Sequence, residues 1–394
     1  MKRTTTRAII AALSIGVSAF TVSAAYAAPA IKIENKALAD AITGAQNDAK
    51  AGRYADALAK AKQADAIQGK PAELTRAVHQ MIVSYAISAK DYNAALTEID
   101  KMIAGNEGNK TELLGQAFSI SLQAGNQQKA QAYADQMGSN KTPQIRLVIA
   151  GGYQKAKKYK EAIEEVQPLL QSGTPSEPLL LFLQATYNEM GDAAKRRESL
   201  EMLVANYPKP QYWHDVLLLT RNERGLSDDQ KLDILRLRLA VGDLKTDADY
   251  YDLAQMALLV GYPNEAKGVL DKGTTAKVLS GERAGRMVKM ATDNSAKDAA
   301  LQADLQGKAA SDANAGLKLG MLLWSYGKYP EAETAVRNAM KGKLADPEAA
   351  KVALGHVLFS AGKKPDAVNA FNSVAKNSKW SSVARLWSIY ARRG

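Results

Sequence analysis

The sequence predicts an all-α chain, an α-solenoid of about ten helix-turn-helix units closed by a C-terminal helix, and three observations predict it. First, a Gly-x-Tyr/Pro-x-x-Ala signature or a near variant recurs at Gly52–Ala57, Gly327–Ala332 and Gly362–Ala367. Second, the alanine of that signature repeats at Ala57, Ala95, Ala130, Ala162, Ala266, Ala332 and Ala367, with degenerate copies at Arg196, Gln230 and Ala299. Ala57 to Ala367 is nine steps over 310 residues, about 34 residues each, a period that means stacked supersecondary units. Third, the residue one turn after each mark is apolar in all ten copies: Ala61, Ile99, Ala134, Val166, Leu200, Ile234, Leu270, Ala303, Val336 and Phe371. Only 46% of the chain is hydrophobic, so this face is patterned.

Along the chain, Lys2, Arg3 and Arg7 precede an apolar run of about 15 residues from Ala8 to Val22, and Ala25-Tyr26-Ala27 is a small-x-small cleavage site. The run is shorter than the ~20 residues that span a bilayer. Residues 1–27 are therefore expected to be a signal peptide, and the mature chain to begin at Ala28. No Cys is present, so a lipid anchor, disulfides and thiolate chemistry are excluded. The expected address is the periplasm of a Gram-negative bacterium.

The first five units are expected to fill residues 28–206. Their turns are punctuated by Gly105-Asn-Glu-Gly108 and Gly151-Gly152, and Gly173–Pro178 opens the fifth pair. Tyr207-Pro208-Lys209-Pro210 marks a stiffer boundary. It leads into a degenerate central block, 207–273, with an N-cap signal at Ser227 and a dense run of apolar residues and Arg from Leu232 to Leu239. Units eight to ten are expected over 274–378. Asn294 stands where a left-handed turn residue is needed, a conformation Asn tolerates. Residues 379–394 read as an amphipathic helix with Trp380, Val383, Leu386, Trp387 and Tyr390 on one side. That side either caps the last repeat or docks a partner.

These units resemble the tetratricopeptide repeat family over roughly residues 36–378. The turn glycine is present at Gly52, Gly125, Gly191, Gly225, Gly261, Gly327 and Gly362, and the following aromatic at Tyr54, Tyr92, Tyr159 and Tyr329. The small first-helix residue is present at Ala45, Ala150, Ala254, Gly320 and Gly355, whereas Arg286 departs from the pattern in the eighth copy. The resemblance implies a right-handed superhelix whose first helices line a concave groove that holds peptides or partner helices. It places Gln154, Asn188 and Asn222 in an amide patch, and Tyr212, Tyr251, Gln255, Trp324 and Phe359 in or near an aromatic-apolar patch.

The formal charge is +11, or +8 without Lys2, Arg3 and Arg7, and it is dispersed along the chain. In an exported protein this does not point to nucleic acid. The three histidines, His79, His214 and His356, are far apart and no two have metal-ligand spacing. No phosphate loop or nucleophile elbow occurs. The chain is therefore expected to have no catalytic residue, metal or cofactor, and not to be an enzyme. The expected function is a periplasmic scaffold that binds a protein or peptide of a cell-envelope assembly. The alternatives are a module for cell wall or polysaccharide and an accessory protein of an outer-membrane uptake system.

Overall fold

The computed structural model describes residues 33–393, so the expected leader and its cleavage site lie outside the described residues. The described chain is helical, and among its residues no helix is long and apolar enough to cross a membrane. It divides into two compact units, one through Gln171 and one from Ser172 onward. The division falls at the Gly173–Pro178 loop, and the expected 206/207 boundary lies inside the second unit.

The first unit pairs α1 (Lys36–Lys50) with α2 (Tyr54–Ala66), α3 (Ala72–Ser88) with α4 (Tyr92–Ala104), α5 (Lys110–Gln123) with α6 (Gln127–Met137), and α7 (Pro143–Lys155) with α8 (Tyr159–Leu170). The second pairs α9 (Glu177–Met190) with α10 (Ala193–Asn206), α11 (Pro210–Arg221) with α12 (Asp228–Ala240), and α13 (Asp247–Val260) with α14 (Pro263–Thr275). There follow α15 (Gly281–Ser295), α16 (Asp298–Lys308), the pair α17 (Ala313–Ser325) and α18 (Tyr329–Ala339), the pair α19 (Pro347–Ser360) and α20 (Lys364–Asn372), and α21 (Ser381–Ala391). Helix starts carry the local signals expected of them: Asn35, Asn109 and Ser227 accept backbone N–H bonds as N-caps, and Pro occupies the first turn of α7, α11, α14 and α19.

Every hairpin but the eighth closes through a left-handed residue. All seven predicted turn glycines have φ between 72° and 93°. Lys90 (φ 61°) and Lys157 (φ 59°) hold the same conformation in the second and fourth pairs. A left-handed non-glycine costs roughly 1–2 kcal/mol, so the tight turn is imposed by the packing of the two helices. That packing is visible at the small residues. Ala45, Ala150 and Ala254 are fully buried. A β-carbon added at Gly320 would overlap Val336 Cγ2, and one at Gly355 would come within 2.6 Å of Phe371 ring carbons. Val336 and Phe371 are the residues one turn after their marks, so the small residue and the apolar residue are the two sides of one helix contact.

The eighth pair departs from expectation. Asn294 lies inside α15 and is not left-handed; the chain turns at Ala296 and Lys297, both in right-handed conformation. Ala299 and Ala303 face solvent, and Leu305 supplies the buried contact instead. Here α15 packs on α14, α16 packs on α17, and the two barely touch each other. Asp298 is buried where the expected alanine would sit, and accepts a 2.8 Å bond from the Tyr326 hydroxyl.

The second unit also closes on itself. Helix α21 covers α20, as a cap should, and in addition packs against α10 and α12. Arg385 pairs with Glu201 at 2.9 Å, and the Tyr390 hydroxyl donates to the Ala240 carbonyl at 3.0 Å. One continuous cluster of buried residues therefore runs from Leu180 to Ala391.

Candidate functional site: an aromatic cleft in the second unit

Helix α12 is the unusual element. Gln230, Leu232 and every residue from Asp233 to Arg238 are buried, so it is covered on all sides. The charges it carries inward are matched. Arg236 donates through Nη1 to Asp233 (2.8 Å) and through Nε and Nη2 to Glu265 on α14 (2.7 and 2.6 Å). Its guanidinium lies 4.9 Å from the Trp324 ring centre and 5.4 Å from that of Tyr262. Burial opposes the Arg236 charge, but Glu265 and Asp233 outweigh it and raise its pKa above the ordinary value. Burial likewise opposes ionisation of Asp233, yet His356 and Arg236 hold its carboxyl below the usual range. Asp233 meets His356 Nε2 on α19 at 2.8 Å. Nearby, burial pushes the Tyr262 hydroxyl up to about 12.

Above this network lies a cleft of about 730 Å³. Arg236, Trp324 and His356 line it together with Phe359, Ser360 and Trp387, and Tyr329, Lys267, Asp271 and Lys272 lie at its sides. Its aromatic rings hold one another. His356 and Trp387 meet edge to face at 4.6 Å between centres, Phe371 stacks on Trp387 at 6.0 Å, and Phe359 leans on Tyr390 at 5.5 Å. Trp324 Nε1 donates to Ser360 Oγ at 2.8 Å, which fixes the indole at the wall.

The structure brings two of the predicted groove residues to this cleft, Trp324 and Phe359, both half-buried. Tyr251 is buried on α13 with the Arg283 guanidinium 4.1 Å from its ring centre. Tyr212 is buried on α11, and its hydroxyl donates to Glu177. Gln255 is exposed on α13, Asn188 is exposed on α9, and Asn222 is exposed at the C-terminal end of α11. Gln154 is half-buried on α7 in the first unit. None of these six lines the cleft.

Sequence reasoning missed Arg236, His356 as Asp233's partner, and Trp387 as a wall. The run Leu232–Leu239, with charge and apolar residues on every side, was the available signal of a helix covered all round. It also missed a second group. In the first unit, His79 is brought among Asp65, Glu98 and Glu107, although no spacing in the sequence announces the cluster.

No protein-family model matches the chain, and no curated protein matches it. Among solved structures, a tetratricopeptide repeat protein from Parabacteroides merdae is 13% identical, covers 82% of this chain and all of its own, and has a TM-score of 0.37. The Naa15/Naa10 complex bound to HypK matches at 11% identity over 87% of this chain and 54% of that chain, with a TM-score of 0.44. The maize pentatricopeptide repeat protein PPR10 matches at 13% identity over 90% and 57%, with a TM-score of 0.36.

Proposed function

We propose that this chain is a protein-binding scaffold that takes an apolar or aromatic side chain of a partner polypeptide into the cleft beneath Trp324 and Phe359. The observation that carries the reading is the state of the cleft's polar atoms. The Arg236 donors go to Asp233 and Glu265, and Trp324 Nε1 goes to Ser360. The aromatic walls thus offer rigid contact area, while the polar groups of the floor are engaged among themselves. That suits an inserted hydrophobic anchor, the usual core of a protein–protein contact. It suits a saccharide less well, because the donors and acceptors of the floor are already engaged with one another.

Peptides selected against the mature chain by display, and titrated by calorimetry, test this. Trp324→Ala and Phe359→Ala are each expected to weaken the selected peptides at least tenfold, which is about 1.4 kcal/mol. Undiminished affinity in both variants, with unchanged far-UV dichroism, would remove the cleft from the reading.

We further propose that residues 1–27 direct export and are removed, and that the partner belongs to a cell-envelope assembly. N-terminal sequencing of protein recovered from an exporting bacterial host should begin at Ala28; a retained Met1 would end the export proposal.

A further inference from the structure

We propose that the first unit carries a divalent metal site formed by His79, Asp65 and Glu98, with Glu107 as the group that orients the histidine. His79 on α3 is 7% exposed and stands among three carboxylates. Its Nδ1 lies 2.6 Å from Glu107 Oε2, and its Nε2 lies 3.0 Å from Asp65 Oδ1 and 3.5 Å from Glu98 Oε1. Asp65 comes from the end of α2, Glu98 from α4 and Glu107 from the segment after α4. One ligand atom from each of Asp65, His79 and Glu98 can be chosen so that all lie within 4.8 Å of one another.

The hydrogen bonding assigns the cation its place. In the proposed arrangement Glu107 accepts the Nδ1–H, which leaves Nε2 as the coordinating nitrogen. Nε2 faces the carboxyl oxygens of Asp65 and Glu98, which are acceptors. Glu98 is 3% exposed, and its Oε1 is buried without a hydrogen-bond partner. Its other oxygen is already taken by Lys101 Nζ at 3.0 Å. A buried carboxylate oxygen without a donor is costly, and a cation shared with Nε2 and Asp65 removes the cost.

The spacing also fits. Bonds of about 2.0–2.2 Å in a tetrahedral shell set neighbouring donor atoms about 3.3–3.6 Å apart. The distances of 3.0 and 3.5 Å from Nε2 need only a shift of a few tenths of an ångström. One imidazole and two carboxylates suit Zn²⁺, with a water in the fourth position on the side where Asp65 is partly exposed. Lys101 and Lys70, 3.8 and 3.9 Å from Asp65 oxygens, offset part of the carboxylate charge. The competing arrangement is an imidazolium that donates Nε2–H to Asp65.

Metal-free mature chain without a histidine tag, titrated with zinc chloride by calorimetry and then measured by zinc X-ray absorption, decides between them. One Zn²⁺ per chain is expected, with Kd at or below ~1 μM and a shell of one imidazole and oxygens. His79→Gln should weaken binding at least 100-fold. Glu107→Gln, which removes no ligand, should weaken it about 10–100-fold and covers the case in which His79→Gln fails to fold. The proposal is overturned if folded wild type binds no zinc or binds it more weakly than ~100 μM. Binding that survives both variants unchanged, and ring ¹⁵N shifts showing both His79 nitrogens protonated with zinc present, would overturn it equally.

Discussion

Replacing Gly320 with alanine tests the claim that the hairpins are closed by contact of a small residue with an apolar one. Two effects compete. Alanine is favoured over glycine in a helix interior by up to ~1 kcal/mol. Against this, the added β-carbon would overlap Val336 Cγ2 and lie 3.2 Å from both the Ala332 carbonyl oxygen and the Val336 amide nitrogen. Apolar carbons rest about 3.5–4.0 Å apart. Val336 is β-branched and cannot swing aside within α18, so the two helices must separate. Overpacking of this kind costs about 1–3 kcal/mol. The net expectation is a loss of about 1–2 kcal/mol. Gly285 on α15 is the internal control: nothing lies within 4 Å of its added β-carbon, so Gly285→Ala should stabilise by up to ~1 kcal/mol. Urea denaturation followed by tryptophan fluorescence is the assay, because Trp213, Trp324, Trp380 and Trp387 all lie in the second unit with both glycines. The double variant Gly320→Ala/Val336→Ala should be more stable than the sum of the single changes by at least ~1 kcal/mol. Equal shifts for Gly320→Ala and Gly285→Ala, or strict additivity in the double variant, would refute the packing argument.

Two further outcomes follow from the turns and the caps. Lys157→Gly should raise stability by about 1 kcal/mol in thermal unfolding followed by circular dichroism, because it relieves a left-handed lysine whose place glycine takes in seven other turns; Lys157→Ala should not. In the second unit, burial opposes ionisation of Asp249, yet the Thr246 and Lys245 amides, the Thr246 hydroxyl and Arg238 hold its carboxyl down to about 2 from 3.8. A depressed carboxyl stabilises the fold fully above the unfolded-state value and loses that contribution as pH falls from about 4 through 2, an effect of at most about 2 kcal/mol. Asp249→Asn should therefore be less stable than wild type in urea at pH 7 by up to that amount, and the gap should close as the pH is lowered to 2.

The parts of the fold that were legible in the sequence are those each repeat enforces locally. A left-handed turn needs glycine or a strained substitute, and two helices in close contact need a small residue opposite an apolar one. Gly327, Gly320 and Val336 show all three in one hairpin. The eighth pair was misread because Asn294 and Ala299 satisfied the spacing, while α15 and α16 pack on α14 and α17 and not on each other. Trp324 and Phe359 were found because repeat phase places first-helix residues. Trp387 and Arg236 were not, because phase says which face a residue occupies and not what covers it. His356 meets Asp233 across 123 residues, and no periodicity encodes such a pairing.

The return of α21 to α10 and α12 changes how the second unit can be made. A stack that contacts only its neighbours could form one hairpin after another, from either end. Here the Glu201–Arg385 contact joins residues 184 positions apart, and α10 waits for α21 while every hairpin between them forms. Through that interval Leu200, Val204 and the apolar sides of α12 lack their final cover. Helix α21 is thus the closing piece of the unit, and removing residues 381–391 would bare the apolar sides of α10 and α12 together with that of α20.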